Sequence, residues 1–175
     1  MAQRTNAYVS HTIGEVSGID LVRALIGGLL GTVAFTALIY MAPLMGFPPM
    51  DLVTMLGTMF VSDPSAAFLP GLAVHVMIGL ILSLGYAFFF ARLLPGRPWL
   101  RGALYGVIPW VVAMVVVMPM MGLVHPLVRA GAMPDPGFFL MGMGTIMAPV
   151  GSLIGHLVYG AALGAIYGRP NTEQA

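Results

Sequence analysis

The chain has 175 residues, of which 59% are hydrophobic and 7% charged, and its mean hydropathy is +0.95. Soluble domains carry roughly 25% charged residues, so a water-soluble fold of this size has too little interior for the apolar material, and the excess must face lipid. A net charge of +1 with no lysine gives no basic field for nucleic acid, and the absence of cysteine excludes disulfides, thiolate metal sites and cysteine nucleophiles.

Residues 1–20 form a polar tail with Arg4, Asn6, His11, Glu15 and Asp20, and a short surface helix is expected to end near Gly18. The tail lacks the apolar region of a signal peptide, so the first apolar run is expected to stay in the mature protein. The first helical hairpin is expected over 21–93. Its first span covers about 21–45, holds Gly27-x3-Gly31, and stops at Pro43 and the Gly46-Phe47-Pro48-Pro49 breaker. A semi-polar connector follows, in which Asp51 is placed to cap a short interfacial helix. The second span covers about 70–93. The second hairpin is expected over 94–168, with spans at about 100–121 and 149–168. The third span holds Gly102-x3-Gly106 and an internal Pro109 that should kink it. Residues 169–175 are a second polar tail. Each span has the ~20 residues needed to cross roughly 30 Å of hydrocarbon.

The arginines set the orientation. Arg4, Arg23, Arg92, Arg97, Arg101 and Arg169 fall on one side and Arg129 alone on the other. That asymmetry places both termini in the cytoplasm and both connectors outside.

Two stretches are spelled alike. His75-x3-Gly79-x2-Leu82-x3-Tyr86 returns as His156-x3-Gly160-x2-Leu163-x3-Tyr167. Positions 0, +4, +7 and +11 share one stripe of an α-helix. Further matches keep the same order: Pro43-Leu44-Met45-Gly46 with Pro119-Met120-Met121-Gly122, then Leu56-Gly57-Thr58-Met59 with Met143-Gly144-Thr145-Ile146. The fold class is therefore an all-α integral membrane protein. Its four transmembrane helices are expected to form two parallel repeated hairpins, related by a pseudo-twofold axis along the membrane normal and bundled as four helices, with short interfacial helices in the outer connectors.

The run Met50-Asp51-Leu52 to Met55-Leu56, the run Leu100-Arg101-Gly102-Ala103-Leu104-Tyr105-Gly106, the Val117-Met118-Pro119-Met120 end and the His156-to-Tyr167 stripe carry a family likeness. Over about residues 23–168 the chain resembles an uncharacterised group of small bacterial membrane proteins, a DUF6789-like family of unknown function. The resemblance implies a four-span protein of the bacterial inner membrane. It implies no activity and assigns no residues.

His75 and His156 are the leading candidates for chemistry, because ionisable groups inside a bilayer are costly and mark functional sites. One reading is axial ligation of a haem b, or of a chlorin or copper, by two neutral imidazoles, with Gly79 and Gly160 leaving room for the ring. The other reading makes the histidines polar glue between spans and the glycines close-packing positions. Tyr86 and Tyr167 are expected in an aromatic belt with Trp99. The fifteen methionines fit gap-filling better than a copper path, with Met118, Met120 and Met121 beside His125 as the one cluster to examine. His125, Asp51, Asp63 and Asp135 are expected to be solvated connector residues. Enzyme signatures are absent: no H-E-x-x-H, G-x-S-x-G or P-loop occurs, and no span holds a carboxylate.

The expected function is that of a non-catalytic accessory or scaffold subunit of a bacterial inner-membrane complex, one for electron transfer. The expected partners are the bilayer and other membrane subunits or a second copy, with no nucleic acid. The alternatives are a bis-histidine haem b protein and an oligomeric small-solute channel or exporter. No cofactor is certain, and haem b is the one the paired histidines point to.

Overall fold

In the computed structural model of the chain, which describes residues 15–16 and 19–168, the protein is mostly helical. Most of the surface helix expected before Gly18 falls outside the described residues. Within them Glu15–Val16 pairs with Ile19–Asp20 as a two-residue antiparallel ribbon. Asp20 then starts α1 (Leu21–Met41) by accepting the Arg23 N–H at 2.9 Å, which satisfies one of the free donors of a helix start. Asp51 does the same for α2 (Leu52–Gly57), accepting from Thr54 N at 2.9 Å. The remaining helices are α3 (Phe68–Gly85), α4 (Pro98–Val112), α5 (Met118–Val124), α6 (Pro126–Arg129) and α7 (Met147–Tyr167).

Four stretches are long and apolar enough to cross a membrane: Leu21–Met45, Phe68–Phe90, Pro98–Val124 and Met147–Tyr167. Two of them contain a wide turn. Tyr86–Phe90 extends α3, with Ala91 N reaching back five residues to Tyr86 O at 2.8 Å. Ala113–Val117 joins α4 to α5. Pro109 lies four residues before this second turn and has no N–H to return to the Tyr105 carbonyl. The disturbance expected at Pro109 thus takes the form of a widened helix, a usual way of absorbing a break in the ladder.

The spans pack in the order α3, α1, α7, α4. The order follows from hydropathy. The Met147–Tyr167 span is the least apolar (mean hydropathy 1.4) and the most buried (44%), whereas Pro98–Val124 is the most apolar (2.4) and the least buried (17%). In lipid the greasiest helix loses nothing by facing outward, and small-residue helices gain most from approaching one another.

Glycines set those approaches. A side chain at Gly27 or Gly31 would run into Leu163 or Tyr159 of α7, and one at Gly102 or Gly106 into Gly160 or His156 of α7. Gly28 faces Ser83, and Gly79 faces Thr32, across the α1–α3 contact. The G-x3-G faces are therefore closed inside the chain and do not form free lateral surfaces. Tyr159 Oη adds a bond to Gly79 O at 2.6 Å, tying α7 to α3.

Candidate functional site: an intramembrane cavity with two imidazoles

The two outermost spans, α3 and α4, meet near the ends that carry the chain termini. There Tyr105 Oη donates to Leu82 O at 2.7 Å and the Phe90 and Tyr105 rings lie 5.1 Å apart. Toward the connector end they diverge around a cavity of about 510 Å³. Thr32 and Phe35 of α1, Ser152, His156 and Tyr159 of α7, Ile78 of α3 and Val112 of α4 line it. The widened turn places Ala113, Met114 and Val117 in the wall.

The connectors roof the cavity with Leu52, Met55 and Leu140. Gly57 and Gly71 allow α2 to lie directly on the start of α3, where any side chain would strike the Ala67 or Val53 carbonyl. On the other side Phe139 and Leu140 adopt left-handed backbone angles (φ 52° and 56°), which turn Leu140 inward and set Phe139 on Trp110 at 5.6 Å. Such angles are strained for residues with a side chain and persist where the surroundings hold them.

Both stripe histidines line this cavity. The Phe35 ring is in edge contact with both, 5.3 Å from His75 and 4.9 Å from His156 by ring centre. Hydrogen-bond roles identify the tautomers. His156 Nδ1 is 2.8 Å from Ser152 O, and a carbonyl can only accept, so Nδ1 carries the proton. His75 Nδ1 is 3.2 Å from Thr36 Oγ1, whose own hydrogen is directed to Thr32 O at 2.8 Å. That hydroxyl must accept, and His75 too is protonated at Nδ1. Both Nε2 atoms therefore carry bare lone pairs, and neither has a hydrogen-bond partner among the described residues.

The other stripe positions do different work. Gly79 and Gly160 are closed by Thr32 and by Gly102, so they bring helices together. Tyr86 and Tyr167, expected in an outward-facing aromatic belt, are instead buried against each other at 5.6 Å, with Tyr105 alongside at 5.2 Å from Tyr86. The two stripes turn these rings inward because they share the histidines' face. Trp99, by contrast, is about half exposed.

His125 corrects the expectation of a solvated connector residue: it is fully buried. Its Nδ1 accepts from Leu127 N and Val128 N at 3.2 and 3.4 Å, capping α6. Its Nε2–H is directed at Met55 O, 3.0 Å away, with Thr58 Oγ1 at 3.2 Å. The side chain pins one connector to the other. Met118 and Met121 line the cavity, whereas Met120 is half exposed, so the three do not act as one cluster. Asp51, Asp63 and Asp135 each serve a local turn, accepting from Thr54 N, Ser65 N and Gly137 N respectively. Sequence reasoning missed Phe35, Ser152 and Tyr159, none of which stands out from the periodicity of its span.

Four apolar spans around an apolar cavity lined by two imidazoles define the class: a membrane protein with an internal cavity. The chain belongs to a family of unknown function, DUF6789, which matches residues 19–175 and bears out the resemblance drawn from the sequence. No curated protein and no solved structure matches it.

Proposed function

We propose that the protein is a non-catalytic membrane protein that holds a small, largely apolar molecule between α3 and α4, with His75 and His156 as its polar contacts. One observation carries this reading: two neutral imidazoles converge on a single cavity of about 510 Å³ with an unused nitrogen each. Binding sites are concave, mostly apolar and equipped with a few placed polar groups. The test is native mass spectrometry of protein extracted gently from its own membrane. A retained small molecule that is lost in a cavity-filling Val117→Trp variant is the expected result. A folded protein that retains none and takes up no apolar probe defeats the reading.

The doubled-hairpin arrangement is part of the proposal. It is supported by Gly79 and Ser83 closing on α1 much as Gly160 and Gly164 close on α4. The arginine asymmetry supports cytoplasmic termini and outer connectors in a bacterial inner membrane.

Role as an accessory subunit is a second reading. It is favoured by Leu44, Phe60, Phe138 and Ile146, all more than half exposed around the connector end. Co-purification with larger subunits at fixed stoichiometry tests it. A haem held by both imidazoles is a further use of the pair; a reduced-minus-oxidised spectrum without a Soret band under haem-replete expression removes it.

A further inference from the structure

The polar groups of the cavity are unbalanced. Its hydroxyls are turned away from the space: Thr32 Oγ1 donates to Gly28 O at 2.8 Å, Tyr105 Oη to Leu82 O at 2.7 Å, and Tyr159 Oη to Gly79 O at 2.6 Å. The Ser152 hydroxyl alone of the lining hydroxyls makes no hydrogen bond among the described residues. Against it stand the two unpartnered Nε2 atoms of His75 and His156 and, at the connector end, the Asp51 carboxylate, which also only accepts. The cavity is rich in acceptors and poor in donors.

Resting on the binding function proposed above, we infer that the occupant is a neutral, lipid-soluble molecule that presents hydroxyl donors, of the phenol or hydroquinone class, with one O–H directed to each imidazole. An oxidised quinone, a ketone or an ether brings only acceptors to nitrogens that are themselves acceptors. Such a ligand leaves both lone pairs desolvated and unpaired, and a site built to hydrogen-bond a hydroxyl discriminates strongly against the analogue that lacks it. The Nδ1 partners hold this preference in place. Thr36 and Ser152 O fix the proton on the far side of each ring, so neither imidazole can turn donor without losing a bond.

The test uses full-length protein in mild detergent and three probes of one shape: 2-octylhydroquinone, its mono-methyl ether and its dimethyl ether, with affinities measured by calorimetry under anaerobic conditions. The expected result is a loss of about tenfold for each hydroxyl methylated, the yield of one neutral hydrogen bond. In the wild-type protein this needs no variant to fold. His75→Leu and His156→Leu should each erase one step, and the double variant should bind all three probes alike. Equal affinities in the wild-type protein would overturn the donor inference while leaving the binding function intact. A preference that survives in the double variant would overturn the assignment to the imidazoles. Failure of all three probes to bind folded protein would defeat the binding function itself.

Discussion

Among the described residues, His125 and the pair His75–His156 are the buried or half-buried imidazoles, and they are built in opposite ways. His125 uses both nitrogens: Nδ1 caps a helix and Nε2–H reaches across to the other connector. His75 and His156 use one nitrogen each, the protonated Nδ1, and leave Nε2 without a partner beside a cavity that both residues line. A buried polar group is tolerable when it is paired. A fully paired histidine therefore needs no further explanation than the fold, whereas a half-paired one beside empty space points to something that completes it. Depth in the chain is a poor guide to which is which, because the fully used residue is the one that lies outside the spans.

The sharpest way to break the contrast is His125→Leu. It strands two N–H groups of α6 and the Met55 carbonyl, and should lower stability in detergent by about 2–4 kcal/mol. Thermal unfolding followed by circular dichroism measures this, and an unchanged midpoint would contradict the pin. The double variant His75→Leu/His156→Leu should stay within about 1 kcal/mol of the parent, since leucine fills the space and each lost Nδ1 bond is a modest one in a membrane. Its deficit should appear instead in probe binding.

A smaller effect is expected from Thr36→Val. It removes the acceptor that holds the His75 proton on Nδ1, at a cost of about 0.6 kcal/mol. The ¹⁵N shifts of the His75 ring should move toward mixed tautomers while those of His156 stay put. Least of all should follow from Asp63→Asn in the first connector. The Ser65 hydroxyl, and then the Ser65 N–H, hold the Asp63 carboxyl below its usual range. A depressed folded value stabilises above the ordinary carboxylate range and is lost as pH falls through the lowered one. The asparagine variant should therefore lose a slight acid-side decline in stability, and because Asp63 is fully exposed the change should be the hardest of these to detect.

Much of the architecture could be read from residues alone. Four apolar runs gave the spans, and the histidine stripe placed both imidazoles on inward faces. The packing order was not read from the sequence, although it follows the spans' hydropathy: Met147–Tyr167, the least apolar, is the most buried. What could not be read depends on which face meets which neighbour. Glycine spacing says that something approaches closely, not whether it is the next span or another chain, and Gly102 and Gly160 turned out to face each other. The burial of His125 was hidden because connectors are assumed to be wet. The one local sign was the His125-Pro126 step, where a side-chain acceptor just before a proline suits a helix start. Phe35 had no sign at all: its contact with two imidazoles arises only when three helices come together.

The contact of α2 with α3 through Gly57 and Gly71 has a mechanical consequence. With no side chains to slide over, roof and wall move as one piece, so widening the gap between α3 and α4 drags α2 along. On the far side α2 is held to the second connector by the His125 imidazole and by Leu52 and Met55 packing in the cluster around Leu140. A substitution that loosens His125 should therefore be felt in the shape of the cavity as well as in the connectors, because Met55 both accepts from that ring and lines the cavity.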